Sequence, residues 1–116
     1  MQELISKTRM TYLWSSNFAS VVLNSKRVFM VMFRSTMSAD CEMMENILLN
    51  VIEQYDSKFG IGLFDIDYNT TIPEGCPVEV IPTIVFFKNG EMIDKIEGPV
   101  GEAELNRRMH RIIDNK

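Results

Sequence analysis

The sequence predicts one α/β domain, a mixed β-sheet flanked by helices on both faces, and three observations carry this. Apolar runs of strand length alternate with stretches whose apolar residues recur at helical spacing. Asn89-Gly90, set between Thr83–Lys88 and Glu91–Glu97, is the strongest short hairpin signal available. The chain has 116 residues, 46% of them hydrophobic and 24% charged, enough for a single core that needs no disulfide staples. The expected domain is therefore the whole chain, 1–116.

Residues 1–8 are polar-mixed and expected to be a frayed N-terminal extension. Arg9–Trp14 has a β-rich centre and predicts an edge strand. Asn17–Ser25 predicts a helix, with Asn17 as N-cap and Phe18, Val21 and Val22 on one face. Arg27–Arg34 is a continuous apolar run bounded by arginines, the pattern of a strand buried on both sides. A polar break follows at Ser35–Asp40. Met44, Ile47, Leu48, Val51, Ile52 and Tyr55 then form the stripe of an amphipathic helix. Phe59–Asp67 predicts a second core strand. Between Tyr68 and Pro82, Pro73, Gly75, Pro77 and Pro82 exclude a long regular helix. After the hairpin, Ala103, Leu105, Met109 and Ile112 or Ile113 mark a last helix. The expected order is β-α-β-α-β-(irregular)-β-β-α, without repeats or linkers.

Composition excludes several function classes. Twelve Lys and Arg against sixteen Asp and Glu leave a net charge of -4, whereas a nucleic-acid face wants a basic stripe. Two cysteines and one histidine, His110, make neither a disulfide framework nor a zinc site, so no metal or cofactor is expected. Charges in the N-terminal MQELISKTRM exclude a secretory signal there, and the most apolar run, Val28–Phe33, is far short of a bilayer span. A cytoplasmic, reducing location without membrane contact is the expectation. The nine methionines mostly stand among Val, Ile and Phe and read as core filler.

Ile81-Pro82-Thr83, the hairpin Lys88-Asn89-Gly90-Glu91 and Gly98 after the last strand resemble the thioredoxin family from Phe18 through the last helix. The resemblance implies a thioredoxin fold in which Pro82 is cis and faces an active site at the start of the second helix. The family's Trp-Cys-Gly-Pro-Cys-Lys falls on Met37-Ser38-Ala39-Asp40-Cys41-Glu42. The attacking cysteine is then Ser38, and only the resolving cysteine remains, as Cys41. The family's buried acid becomes Met32, its neighbouring lysine Leu63 and its covering tryptophan Met37. Apolar packing has replaced a polar, proton-handling pocket.

Dithiol exchange needs two thiols, because the second resolves the mixed disulfide made by the first. Ser38 lacks a neighbouring base and reads as an N-cap. Cys41 stands in the first helical turn, where the dipole favours a thiolate but Asp40, Glu42 and Glu45 oppose one. Two readings stay open for it, an inert thiol and a single-thiol redox role. The family geometry keeps Cys76 too far from Cys41 for a disulfide. His110, among Arg107, Arg108 and Arg111, reads as a solvated helix residue, with those arginines and Lys116 complementing the helix C-terminus.

The resemblance also implies a groove in which an extended peptide pairs with the backbone before the cis-proline, lined by Met37, Ile81, Pro82 and Gly98. The expected function is a protein- or peptide-binding module, similar to the non-catalytic spliceosomal and phosducin-like members of this fold, acting as a monomer. The alternative is a single-thiol redox protein using Cys41, at most a weak thiol-disulfide oxidoreductase.

Overall fold

The run Val28–Arg34 becomes β2, the central strand of a five-stranded sheet, and its five inner residues are all buried. The structure, a computed structural model, describes residues 10–55, 58–69, 71–73, 75, 76 and 78–114. The expectations for residues 1–8, Arg9, Pro77 and Lys116 fall outside these. The elements are β1 (Met10–Leu13), a single π-helical turn (Ala19–Leu23), β2, α1 (Ala39–Ile52), β3 (Phe59–Asp65), β4 (Thr83–Lys88), β5 (Glu91–Glu97) and α2 (Glu102–Asp114). The sheet order is β1-β3-β2-β4-β5. β1 and β2 both pair with β3 in parallel, while β4 pairs antiparallel with β2 and β5. β1 is an edge strand, as its composition predicts.

Strand alternation sorts the core into two layers. Met30, Met32, Ile61, Leu63, Ile84 and Phe86 face α1 and α2, meeting Met44, Leu48, Val51, Leu105 and Met109. Phe29, Val31, Phe33, Phe64, Val85 and Phe87 face the other way. α1 and α2 share one face and the short helical turn Ala19–Leu23 lies on the other, so helical elements flank the sheet on both faces, as expected. The second face is closed by the π-helical turn, through Phe18 and Val22, and by Cys76 and Val78 of the irregular loop. Phe18 is the plug, standing edge-on to Phe64 at 6.2 Å and to Phe87 at 5.7 Å. Such aromatic pairs add about 0.5–1.5 kcal/mol each beyond the area they bury.

The helix expected over Asn17–Ser25 contracts to this one turn. Asn17 does not cap it; its Oδ1 instead accepts the backbone N–H of Trp14 at 2.8 Å. Ser20 donates its hydroxyl back to the Asn17 carbonyl, and Val21 and Val22 are stiff at χ1. Both features weaken a regular helix. Three smaller corrections follow from tertiary context. β3 stops at Asp65, because Ile66 and Asp67 turn away. Tyr55 lies beyond α1, yet it is buried and its hydroxyl donates to the Asn106 carbonyl at 2.9 Å, tying α1 to α2. Ala103 is exposed, and Leu105 and Met109 carry the buried stripe of α2.

The hairpin turn has Asn89 at φ 53° and Gly90 at φ 82°, the two left-handed positions that Asn-Gly accommodates. Arg111 stands in the last turn of α2, as expected for a cation complementing the helix C-terminus, while Arg107 and Arg108 make side-chain ion pairs further up the helix. Arg108 forks onto Asp94 at 2.7 and 3.0 Å, locking α2 to β5, and Arg107 pairs with Glu104. Burial alone would raise the Asp94 carboxyl, but Arg108 holds it below its usual range. His110 is exposed and sits 3.0 Å from Asp114.

Glycines 60 and 62 create the room that β1 and Phe29 occupy on the second face. A Cβ at Gly62 would stand 2.5 Å from a Leu13 methyl carbon and 3.0 Å from the Thr11 carbonyl. Gly62→Ala is therefore expected to destabilise by about 1–3 kcal/mol through overpacking, read as a lower denaturant midpoint at unchanged slope. Met32 is fully buried opposite Leu63 and Ile84. Met32→Asp should cost at least about 2 kcal/mol, since an isolated carboxyl would lose its water without gaining a partner. An unchanged midpoint would contradict the burial of that side chain.

Candidate functional site

β2 ends at Arg34 and the chain turns through Ser35, Thr36 and Met37 into α1. The turn is held from β3. Asp67 Oδ2 accepts the Ser35 hydroxyl and the Thr36 N–H, both at 2.9 Å. Asp65 Oδ2 accepts the Thr36 hydroxyl at 2.9 Å and Arg34 Nη1 at 3.1 Å, while Asp65 Oδ1 accepts the Asp67 N–H at 2.9 Å. The Ser35 hydroxyl and the Thr36 amide hold the exposed Asp67 carboxyl below the usual carboxylate range. Arg34 Nε lies 3.3 Å from Glu45 Oε2. That is ion-pair distance, but the buried Nε–H is not aimed at the oxygen and makes no hydrogen bond.

This anchoring fixes the start of α1. Ser38 is the N-cap, with extended φ -104° and ψ 120°, and its hydroxyl accepts the Cys41 N–H at 3.2 Å. Asp40 and Glu42 occupy the first turn, complementing the dipole. Cys41 is fully buried against the helix-facing layer, and its Sγ accepts the Ser35 N–H at 3.4 Å. Cys76 belongs to the opposite layer, where burial pushes its thiol up to about 11. The sheet separates the two free thiols, which is why they cannot bridge.

Beside this turn lies the start of β4. Phe33 is directly opposite Thr83, so Pro82 and Ile81 run alongside Arg34 and Ser35. The Ile81–Pro82 bond is cis. Thr83 donates its hydroxyl to the Val80 carbonyl at 2.7 Å, and the Gly98 N–H donates to the Pro82 carbonyl at 2.8 Å with Gly98 at φ 80°. Thus Ser35, Pro82 and Gly98 are neighbours at one end of the sheet. Pro82 is buried, Ile81 is half-buried, and the backbone N–H and C=O of Ile81 make no hydrogen bond among the described residues. Met37 projects from the turn 90% exposed, and Val80 is also exposed.

The sequence-expected residues Met37, Ser38, Cys41, Ile81, Pro82 and Gly98 are therefore brought to one end of the sheet, though Cys41 points into the core. Arg34, Thr36, Asp65 and Asp67 escaped sequence reasoning. Their signal is the placement of opposite charges at the ends of two apolar strands. Among the described residues no three His, Cys, Asp or Glu side chains are grouped to hold a metal, and no helix is long and apolar enough to cross a membrane.

Comparison with known proteins places this site in context. The Thioredoxin family model matches residues 9–111. A thioredoxin of Buchnera aphidicola is 31% identical over 93 residues, covering 80% of this chain and 86% of its own length. A thioredoxin of Mycobacterium tuberculosis is 28% identical over 100 residues, covering 86% of both chains. One from Porphyra purpurea is 26% identical over 98 residues, covering 84% of this chain and 92% of its own.

Because the Asp67 carboxyl is depressed in the folded protein, its bonds to Ser35 and Thr36 are intact above the unfolded aspartate value of about 3.9. They should be lost as pH falls through the lower folded value. The Thr36 amide resonance is expected to titrate in that acid window and to lose the titration in Asp67→Asn. A Thr36 amide insensitive to pH between neutrality and acid unfolding would contradict the anchoring.

Proposed function

Since the chain belongs to the thioredoxin family, we propose that it binds extended protein or peptide segments at the end of the sheet beside Pro82 and is not a full dithiol-disulfide oxidoreductase. The observation that carries this reading is the side chain at the start of α1. Where the family motif places its attacking cysteine, this chain has Ser38, and its hydroxyl is committed to the Cys41 amide.

Disulfide reduction requires a thiolate to attack one sulfur of the substrate, expelling the other as a thiolate, and a second thiol to resolve the mixed disulfide. A serine hydroxyl without a base does not perform the first step. Cys41 is buried, and Met32 and Leu63 leave no ionisable group behind it to move a proton. Peptide recognition needs none of these groups. The unpaired N–H and C=O of Ile81 offer one rung of strand-like pairing, and the exposed thioether of Met37 offers an adaptable apolar contact. The partner is therefore a protein or peptide with an extended segment, met by a monomer in the cytoplasm.

One observation favours a second reading, in which Cys41 acts as a lone redox thiol. The Ser35 N–H is directed at its sulfur, and Cys41 stands in the first turn of α1. Full burial opposes access to it.

Two measurements separate these readings. With dithiothreitol supplied, reduction of insulin should proceed at the rate given by the reductant alone, with Cys41→Ala indistinguishable from the parent. Turnover dependent on Cys41 would reverse the assignment. Peptide segments selected for binding should shift the Ile81 amide resonance equally with and without reductant, and Met37→Ala should weaken them by about tenfold. Capture that disappears on reduction would establish the redox reading instead.

A further inference from the structure

We propose that a second site, separate from the Pro82 groove, takes a proline-rich segment in polyproline II conformation. It is a pocket of about 410 Å³ outside the carboxyl ends of β1, β3 and β2, bounded by Tyr12, Trp14 and Tyr68, with Arg34, Thr36 and Asp65 at its polar side. Crevices beyond the carboxyl ends of parallel strands are where open α/β sheets receive ligands.

Three exposed aromatic rings on one small pocket are unusual for a surface with no partner. Tyr12 is 65%, Trp14 46% and Tyr68 66% exposed. Their backbones are nevertheless fixed. Tyr12 is paired into the sheet beside Leu63, the Trp14 N–H bonds to Asn17 Oδ1 at 2.8 Å, and the Tyr68 N–H bonds to the Asp65 carbonyl at 3.2 Å. The rings are thus presented on an ordered frame, which lowers the entropic cost of binding.

The hydrogen-bond inventory selects the ligand. Both Asp65 oxygens are occupied, by Asp67, Thr36 and Arg34 of the same chain, and the Thr36 hydroxyl is spent as a donor on Asp65. Among the described residues, the hydroxyls of Tyr12 and Tyr68, the indole N–H of Trp14 and Nη2 of Arg34 have no hydrogen-bond partner. The Trp14 indole and the Arg34 guanidinium can only donate, the two tyrosine hydroxyls can donate as well as accept, and the Asp65 oxygens are already engaged, so a ligand rich in acceptors is the better complement. Charge complementarity narrows this further. The charged groups of the lining are Arg34 and Asp65, paired with each other at 3.1 Å, so an anion meets the Asp65 carboxylate and a cation meets the guanidinium. The occupant is uncharged. A proline-rich segment is uncharged, exposes carbonyls, lacks the N–H that would want an acceptor, and lays flat rings on aromatic surfaces.

Trp14 is the chain's single tryptophan, so intrinsic fluorescence reports on this pocket directly. Titration of the full chain with a blocked proline-alanine decapeptide should give a saturable spectral shift. Tyr68→Ala and Tyr12→Ala, both at exposed rings, should keep the parent melting temperature and weaken binding by about tenfold or more. Met37→Ala should leave it unchanged, which separates failure here from failure of the Pro82 groove. A glycine-serine peptide of equal length should produce no saturation. The proposal is overturned by a flat titration or an equal response to glycine-serine. It is equally overturned by tighter binding of an oligolysine or oligoglutamate peptide, or by peptide-induced shifts at Ile81 without shifts at the Trp14 indole.

Discussion

The ion pair between Arg34 and Asp65 closes the carboxyl ends of two adjacent parallel strands, and the candidate site is built outward from it. The register that sets Arg34 beside Asp65 is the same one that buries Met32 against Leu63 two residues earlier. Their side chains are only 17% and 10% exposed, so removing Arg34 would leave the Asp65 carboxylate without its ion-pair partner in a poorly solvated position, at a cost of roughly 3 kcal/mol. From Asp65 the network passes to Thr36 and Asp67, then to Ser35, and so to the turn that aims Met37 outward and Ser38 onto α1. Ser38 is a good cap because the turn before it is held, and the turn is held because two carboxylates, Asp65 at the end of β3 and Asp67 just beyond it, reach across to it.

The sheet also decides the fate of the two thiols. Parity along the strands assigns the helix-facing layer to methionine and aliphatic side chains and the opposite layer largely to phenylalanine. Cys41 falls in the first and Cys76 in the second. Both are buried, and for Cys76 that desolvation alone raises the thiol. With Met32 and Leu63 filling the interior beneath α1, the layer behind Cys41 is a continuous apolar packing. Such packing holds no ionisable side chain at positions 32 and 63, and the proposed function accordingly rests on backbone and surface side chains.

The two proposed recognition surfaces share one scaffold. The turn after β2 separates them, with the Ile81 backbone on the β4 side and the three aromatic rings on the β1 side. Both depend on the ends of strands being fixed, the first by the Gly98 amide on the Pro82 carbonyl and the second by Asn17 and Asp65 holding the ring-bearing segments. A rigid edge with exposed side chains binds without first having to order itself.

By itself the sequence determined which segments become strands and helices. The apolar run at 28–33, the stripe from Met44 to Ile52 and the Asn89-Gly90 turn are local signals, in which residue size, branching and backbone freedom act within a few positions. Ser38 as N-cap and the hairpin were legible for the same reason. Tertiary structure alone decided what lies between elements distant in the chain. The segment after Asn17 reads as a helix, yet Phe18 is drawn down between Phe64 and Phe87, and Asn17 finds a better partner in the Trp14 amide than in the helix it would cap. Arg34 and Asp65 look like ordinary strand ends until parallel pairing sets them 3.1 Å apart. Tyr12, Trp14 and Tyr68 look like scattered surface aromatics until β1 and β3 lie side by side. Pairing register is set by the summed burial of whole strands, and no local pattern encodes that sum.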